Sequence, residues 1–175
     1  MTHPPKHIIL VGMPACGKST VGVLAAKNLG YRFVDSDLVI QERDGRRLHR
    51  IIAEEGHSGF LAIEEAVNLT LGRDDAPTVI ATGGSAVYSP AAMAHFKSVG
   101  TVVYLRLSFE TVKKRLGNFT HRGVVMPEGY TLRDLYDERT ALYEAYADVI
   151  VDESQADRIG DVLNTLCSHF DGELT

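Results

Sequence analysis

Five short runs rich in aliphatic and β-branched residues, at 7–11, 32–34, 78–81, 101–105 and 149–151, punctuate this chain at intervals filled by segments with helical spacing. Runs this short and this apolar read as strands buried on both faces. The helical segments cover 18–29, 37–43, 48–55, 58–71, 90–97, 109–116, 131–146 and 157–170. Several starts are marked locally: Ser89 stands before Pro90, and Thr131 precedes Asp134 in a capping-box arrangement. Strands alternating with helices imply parallel pairing through right-handed crossovers, so the expected architecture is a three-layer α/β/α fold. A length of 175 residues fits a single domain, and no internal repeat or linker divides it.

Two stretches break the alternation. The extra helical material at 37–71 lies between the second and third strands, where it can form a substrate-gripping region. The segment 117–130 holds Gly117, Gly123, Pro127 and Gly129, and a glycine-punctuated loop of this length suggests a mobile lid. Composition removes whole classes of function. No apolar run approaches the roughly 20 residues of a membrane span, and no long apolar stretch opens the chain, so a cytoplasmic protein is expected. Cys16 and Cys167 alone imply no disulfide framework, which fits a reducing compartment. A net charge of -5 carries no footprint for nucleic acid or anionic membrane, while a small anionic ligand is still allowed. A monomer is expected.

The string GMPACGKS at 12–19 follows the first strand and opens the first helix, the context that the GxxxxGK[ST] pattern requires. Such a string arises by chance in about one chain of this length in a hundred, so coincidence is a weak competitor. Gly12 and Gly17 let backbone N–H groups curl around phosphate oxygens at a helix N-terminus, with Ala15, Cys16 and Thr20 completing the nucleotide-binding stretch. Lys18 is expected to reach the β and γ phosphates and Ser19 to supply an oxygen to Mg²⁺. Asp35 and Asp37 follow the second strand, and residues two apart on an extended chain point the same way. One of them can simply cap the next helix. Beside a phosphate loop the better division is Asp35 towards the metal, usually through water, and Asp37 towards an acceptor hydroxyl as base or orienting group.

Thr82, Gly83, Gly84 and Ser85 end the third strand. The paired glycines make either a tight turn or a close approach to a ligand, and their place beyond the carboxyl end of a strand favours the ligand. Arg139 falls within the apolar stripe of Leu132, Leu135, Tyr136, Leu142, Tyr143 and Tyr146. A cation there needs an anionic partner: an internal carboxylate, solvent reached by snorkelling, or an anionic substrate group. Arg122 lies in the lid, where it can swing over a transferring phosphoryl group or stay solvated.

Taken together, the phosphate loop, Asp35-Ser36-Asp37, the ATGG segment at 81–84, Arg122 and the RTALY segment at 139–143 resemble the shikimate kinase family over nearly the whole chain. The resemblance implies a P-loop kinase fold with a five-stranded parallel sheet, a substrate-binding helical region and a mobile lid. It further implies ATP as phosphoryl donor, Mg²⁺, a small hydroxy acid as acceptor, and catalytic roles for Lys18, Asp37 and Arg122. Residues 151–156 would line the adenine pocket.

Three positions depart from the family pattern. The arginine that follows the phenylalanine matched by Phe60, and that grips the substrate carboxylate together with the arginine matched by Arg139, is Leu61 here. Ser85 replaces the third glycine, and Gly123 replaces the proline after the lid arginine. Losing a bidentate arginine ordinarily weakens carboxylate binding by about two orders of magnitude. It also strips Glu64 of its family partner on the inward stripe of its helix. Shikimate is the acceptor expected by family default, with Arg46, Arg47 or Arg50 filling the gap at Glu64; the alternative is that a cationic substrate group, such as the ammonium of homoserine, pairs with Glu64 while Arg139 holds the carboxylate. Gluconate-type kinases share much of this architecture. A non-catalytic nucleotide-binding module would need neither Asp37 nor Arg122, and a signalling GTPase would show an NKxD motif, which is absent.

Overall fold

In the computed structural model, residues 7–117, 124–155 and 158–170 are described. Five parallel strands, β1 (His7–Val11), β2 (Arg32–Asp35), β3 (Thr78–Ala81), β4 (Gly100–Arg106) and β5 (Val149–Asp152), form one sheet in the order β2-β3-β1-β4-β5. The three central strands are aliphatic along their middles, with polar residues mainly at their ends, because helices cover both faces.

Seven α-helices lie among the described residues: α1 (Lys18–Leu29), α2 (Ser36–Asp44), α3 (Leu48–Asn68), α4 (Pro90–Val99), α5 (Phe109–Leu116), α6 (Leu132–Tyr146) and α7 (Ile159–Ser168). The crossover from β1 to β2 runs in one direction along the sheet and every later crossover in the other. Right-handed connections therefore send α1 to one face, where it meets α7, and send α3, α4 and α6 to the opposite face. The five strands and the helices read from the sequence are all present, with ends differing by a few residues. The break expected at 56–57 is a kink inside α3, where Gly56 has φ 72 and ψ −176, instead of a gap between two helices. Two short 3-10 turns, Ala86–Tyr88 and Glu153–Gln155, carry no periodic signal and were not anticipated.

Register sets the position of the site. Leu10 pairs with Ala81, and Ala81 with Asp35, so β1, β2 and β3 end side by side. Thr82 ties the ends together, its backbone N–H and its hydroxyl both donating to the Leu10 carbonyl at 3.1 and 2.9 Å. Strand order reverses between β3, β1 and β4, which opens a crevice at the carboxyl edge. The main core surrounds the sheet. A second, smaller core of Ile40, Ile51, Phe60, Val67 and Val125 lies under α2 and α3. No helix among the described residues is long and apolar enough to cross a membrane.

Helix α6 begins with the capping box read from sequence: the Thr131 hydroxyl accepts from the Asp134 N–H at 3.1 Å, and the Asp134 carboxylate accepts from the Thr131 N–H at 2.9 Å. Replacing Thr131 with Ala removes one of these bonds, so urea denaturation of Thr131→Ala should give a loss of about 1 kcal/mol.

Candidate active site

The turn from β1 into α1 is a phosphate cradle made of backbone. Gly17 is left-handed at φ 90, and Ala15 adopts φ 62, a conformation that costs a side-chain-bearing residue about 1–2 kcal/mol. The strain curls successive N–H groups to one side, the arrangement that anions occupy. Lys18 is buried, and its Nζ donates to the carbonyls of Gly12 at 2.8 Å and Met13 at 3.0 Å. Its ammonium therefore sits over the loop. Cys16 is buried under the loop, with burial pushing its thiol pKa up. Ser19 and Thr20 are exposed at the start of α1.

Asp35 serves two ends at once. Its Oδ1 accepts from the N–H groups of Asp37 at 3.0 Å and Leu38 at 3.4 Å, capping α2, while its Oδ2 accepts from the Ser19 hydroxyl at 2.5 Å. The cap and the metal-side reading are thus compatible in one carboxylate. The hydroxyl of Ser19 and the free lone pairs of Asp35 are hard oxygen donors beside the cradle. That is the donor set that suits Mg²⁺, an ion that keeps most of its other positions for water and phosphate.

Asp37 faces the cavity. Burial first, and then the charge of Asp35, raises its carboxyl to about 6, against the pull of Lys18. Glu64 is only 2% exposed, and its Oε2 accepts from the Ser85 hydroxyl at 2.6 Å. Its Oε1 is buried without a hydrogen-bond partner among the described residues. Burial lifts this carboxyl to about 7; the Ser85 hydrogen bond opposes the rise and Asp37 adds to it.

Gly83 and Gly84 owe their identity to close approach. A Cβ on Gly83 would lie 2.5 Å from Glu64 Oε1 and 2.9 Å from Asp37 Oδ1, and one on Gly84 would lie 2.9 Å from both Arg139 Nη1 and Pro14 Cδ. The sequence suggested room for a ligand at these glycines. Asp37, Glu64, Arg139 and Pro14 crowd the positions that a Cβ would take, while the glycines themselves line the central cavity.

Arg139 is 1% exposed, so snorkelling is excluded. Its Nε donates to the Tyr88 hydroxyl at 3.3 Å, its Nη2 donates to the Val125 carbonyl, and the guanidinium stacks 5.3 Å from the Tyr88 ring centroid. No carboxylate among the described residues forms an ion pair with it. The internal salt bridge that could have explained this cation is therefore not found there. The basic residues that could have served Glu64 are also elsewhere: Arg46 spans Asp44, Glu54 and Glu55, Arg50 meets Glu54, and Arg47 is exposed.

A cavity of about 250 Å³ joins these parts, lined by Lys18, Ser19, Asp37, Glu64, Gly83 and Arg139 among others. Gly12 and Cys16 lie behind the cradle, and Asp35 reaches the cavity through Ser19. Arg122 and Gly123 lie outside the described residues. Sequence reasoning missed Tyr88 and Val125, whose partners are known only once α6 is docked. It also missed a 150 Å³ cavity beside Gly17 formed partly by Arg115 and Glu153, of which only the stretch 151–156 had been indicated. The arrangement can hold an anion at the cradle, withdraw a proton at Asp37 and bind a carboxylate at Arg139.

Comparison with known proteins agrees with this geometry. A family model described as shikimate kinase matches residues 14–168. The shikimate kinase of Thiobacillus denitrificans is 40% identical over 151 residues, covering 85% of this chain and 82% of that protein. The shikimate kinase of Chlorobium chlorochromatii is 35% identical over 176 residues, covering 95% and 91%. Among solved structures, shikimate kinase from Acinetobacter baumannii in complex with shikimate superposes with a TM-score of 0.85 at 31% identity, covering 98% of this chain and 96% of that one.

The buried acid at position 64 gives a stability signature. Its carboxyl is raised to about 7 from an ordinary 4.5, so the folded state holds the proton more tightly and stability falls as pH rises through that window. Glu64→Gln should flatten the fall and stabilise the protein at pH values above about 7 by about 1–3 kcal/mol, read from denaturation midpoints across pH.

Proposed function

The chain belongs to the shikimate kinase family, and from that premise we propose that it transfers the γ-phosphoryl group of ATP to a hydroxyl of a small carboxylate metabolite, with shikimate as the acceptor that family membership favours. Members of the family are ATP-dependent kinases that use Mg²⁺. The observation that carries the acceptor reading is the meeting, in one cavity, of a phosphate cradle, the carboxyl of Asp37 and the cation of Arg139 with no carboxylate partner among the described residues.

Each residue then has a separate task. The backbone from Gly12 to Gly17 and the following Lys18, Ser19 and Thr20 hold the nucleotide phosphates, with Ala15 and Cys16 shaping the curve. Ser19 and Asp35 hold Mg²⁺, which when bound neutralises charge on the phosphate oxygens. Asp37 accepts the proton of the acceptor hydroxyl; a carboxyl raised to about 6 is a stronger base than an ordinary aspartate yet is still ionised at neutral pH. Arg139 binds the acceptor carboxylate, and the Gly83–Gly84 backbone supports the acceptor from below. Arg122 is assigned to the transferring phosphoryl group from motif spacing, as the grip at about 37–71 and the lid at about 117–130 are assigned from theirs.

One observation favours a second acceptor reading. Glu64 is buried with one oxygen unpartnered among the described residues, and Leu61 supplies no guanidinium. A hydroxy-amino acid such as homoserine would bring an ammonium to Glu64 and a carboxylate to Arg139.

ADP release with Mg-ATP against shikimate, homoserine and gluconate distinguishes these readings. Turnover of shikimate is the result expected from the family, homoserine turnover in its place supports the second reading, and ATP binding with no turnover of any acceptor sinks the kinase assignment. Independently, Asp37→Asn should lower kcat by about a thousandfold or more while leaving the ATP dissociation constant nearly unchanged. In the wild type, kcat/KM should fall as pH drops below about 6, where Asp37 takes up its proton.

A further inference from the structure

Behind Glu64, on the side away from the phosphate cradle, lies a second cavity of about 230 Å³ between α3 and the turn 85–89. It shares Glu64 and Ser85 with the first cavity. Its remaining polar wall is made by Glu65, whose carboxylate accepts from Ser89, by Tyr88, and by Asn68. Among the described residues no lysine, arginine or histidine lines it.

Asn68 is the independent signal. It is 0% exposed, and neither its Nδ2 nor its Oδ1 has a hydrogen-bond partner among the described residues. Leaving both ends of a buried amide unmade is costly, and natural proteins rarely tolerate it without a ligand or an ordered water. Glu64 and Asn68 are four residues apart on α3, so they stand side by side on one face, and Glu64 Oε1 is a third orphaned atom in the same neighbourhood. The cavity is thus walled by Glu64, whose orphaned Oε1 lies towards Gly83 and Asp37, and by Asn68 with both amide atoms unmet, and its described lining carries negative charge and no cation.

We propose that this cavity is a subsite for a small cation bearing N–H groups, a primary ammonium or a guanidinium, which Glu64 and Asn68 hold and which completes the acceptor site. The inference rests on the kinase reading above for its functional part. The cation pairs the buried acid, leaves Arg139 free for a carboxylate, and fills the space beside Leu61. Its source is either the acceptor's own amine or a free cation, and these are separable.

The test has a binding arm and two turnover arms. In the binding arm, methylammonium or guanidinium at low concentration should raise the wild-type melting temperature relative to tetramethylammonium at equal ionic strength, since the latter has no N–H to donate. Leu61→Arg, which places a guanidinium beside Glu64 within the same chain, should abolish that response, as should Asn68→Leu; Leu61→Met, which adds bulk without charge, should keep it. If the acceptor supplies the amine, homoserine should exceed its deaminated analogue 4-hydroxybutyrate in kcat/KM by about tenfold or more, and Leu61→Arg should erase the preference. If a free cation supplies it, methylammonium or guanidinium should raise shikimate turnover by about tenfold in the wild type and not in Leu61→Arg. Absence of any cation-specific thermal shift, with shikimate turned over independently of cations, overturns the subsite and leaves the kinase reading standing. A cation-specific shift with no acceptor turned over supports the subsite and removes the kinase reading.

Discussion

At Gly83 and Gly84 the chain passes so close to its neighbours that neither residue has room for a Cβ. The four side chains responsible come from four places in the sequence: Asp37 from α2, Glu64 from α3, Arg139 from α6 and Pro14 from the phosphate loop. Bare backbone is the hub on which they converge. Flexible side chains such as Glu64 and Arg139 could swing aside on a surface, but here both are almost fully buried, and Pro14 cannot bend away. Tyr143 fixes the hub from beneath by donating to the Gly84 carbonyl at 2.6 Å. The relative placement of Asp37, the phosphate loop and Arg139 therefore follows from one short segment held at the end of β3.

That crowding also sets the electrostatics. Asp37 and Glu64 approach the same glycine, and burial raises both carboxyls, with Asp35 adding to the rise at Asp37 and Asp37 adding to the rise at Glu64. Lys18 and Arg139 offset this from opposite sides, yet neither forms an ion pair with the two acids. A site so arranged keeps its cations available for the phosphate and carboxylate of a substrate. It also raises the Asp37 carboxyl to about 6, so that it stays ionised at neutral pH and protonates on mild acidification.

The five strands, the phosphate loop and the positions of Asp35 and Asp37 just past β2 were legible because each depends on residues near in sequence: an apolar run, a glycine spacing, a carboxylate just past a strand. Glu64 was legible as inward-facing from helical periodicity, and Arg139 as an anomaly within an apolar stripe. Tyr88 and Val125 were not legible, because they meet Arg139 only after α6 packs against the turn following β3. The crowding of the paired glycines by Asp37, Glu64, Arg139 and Pro14 was not legible for the same cause. Glycine spacing announces close approach without saying whether a ligand or the protein itself is doing the approaching.

The two halves of the site differ in how they are built, and this bears on which of them can change. The phosphate half is mostly backbone, held between β1 and α1, with Lys18, Ser19 and Thr20 as its few contributing side chains. The acceptor half is made of side chains on α2, α3 and α6, and α2 and α3 rest on their own small core of Ile40, Ile51, Phe60, Val67 and Val125, apart from the core around the sheet. Leu61 packs against that small core while also facing the second cavity. A residue in this position can exchange a charge for an apolar surface without disturbing the sheet or the cradle, and the consequence falls on Glu64 alone among the acidic groups of the acceptor site. Phosphoryl donor and acceptor chemistry are in this way mechanically separable within a single fold.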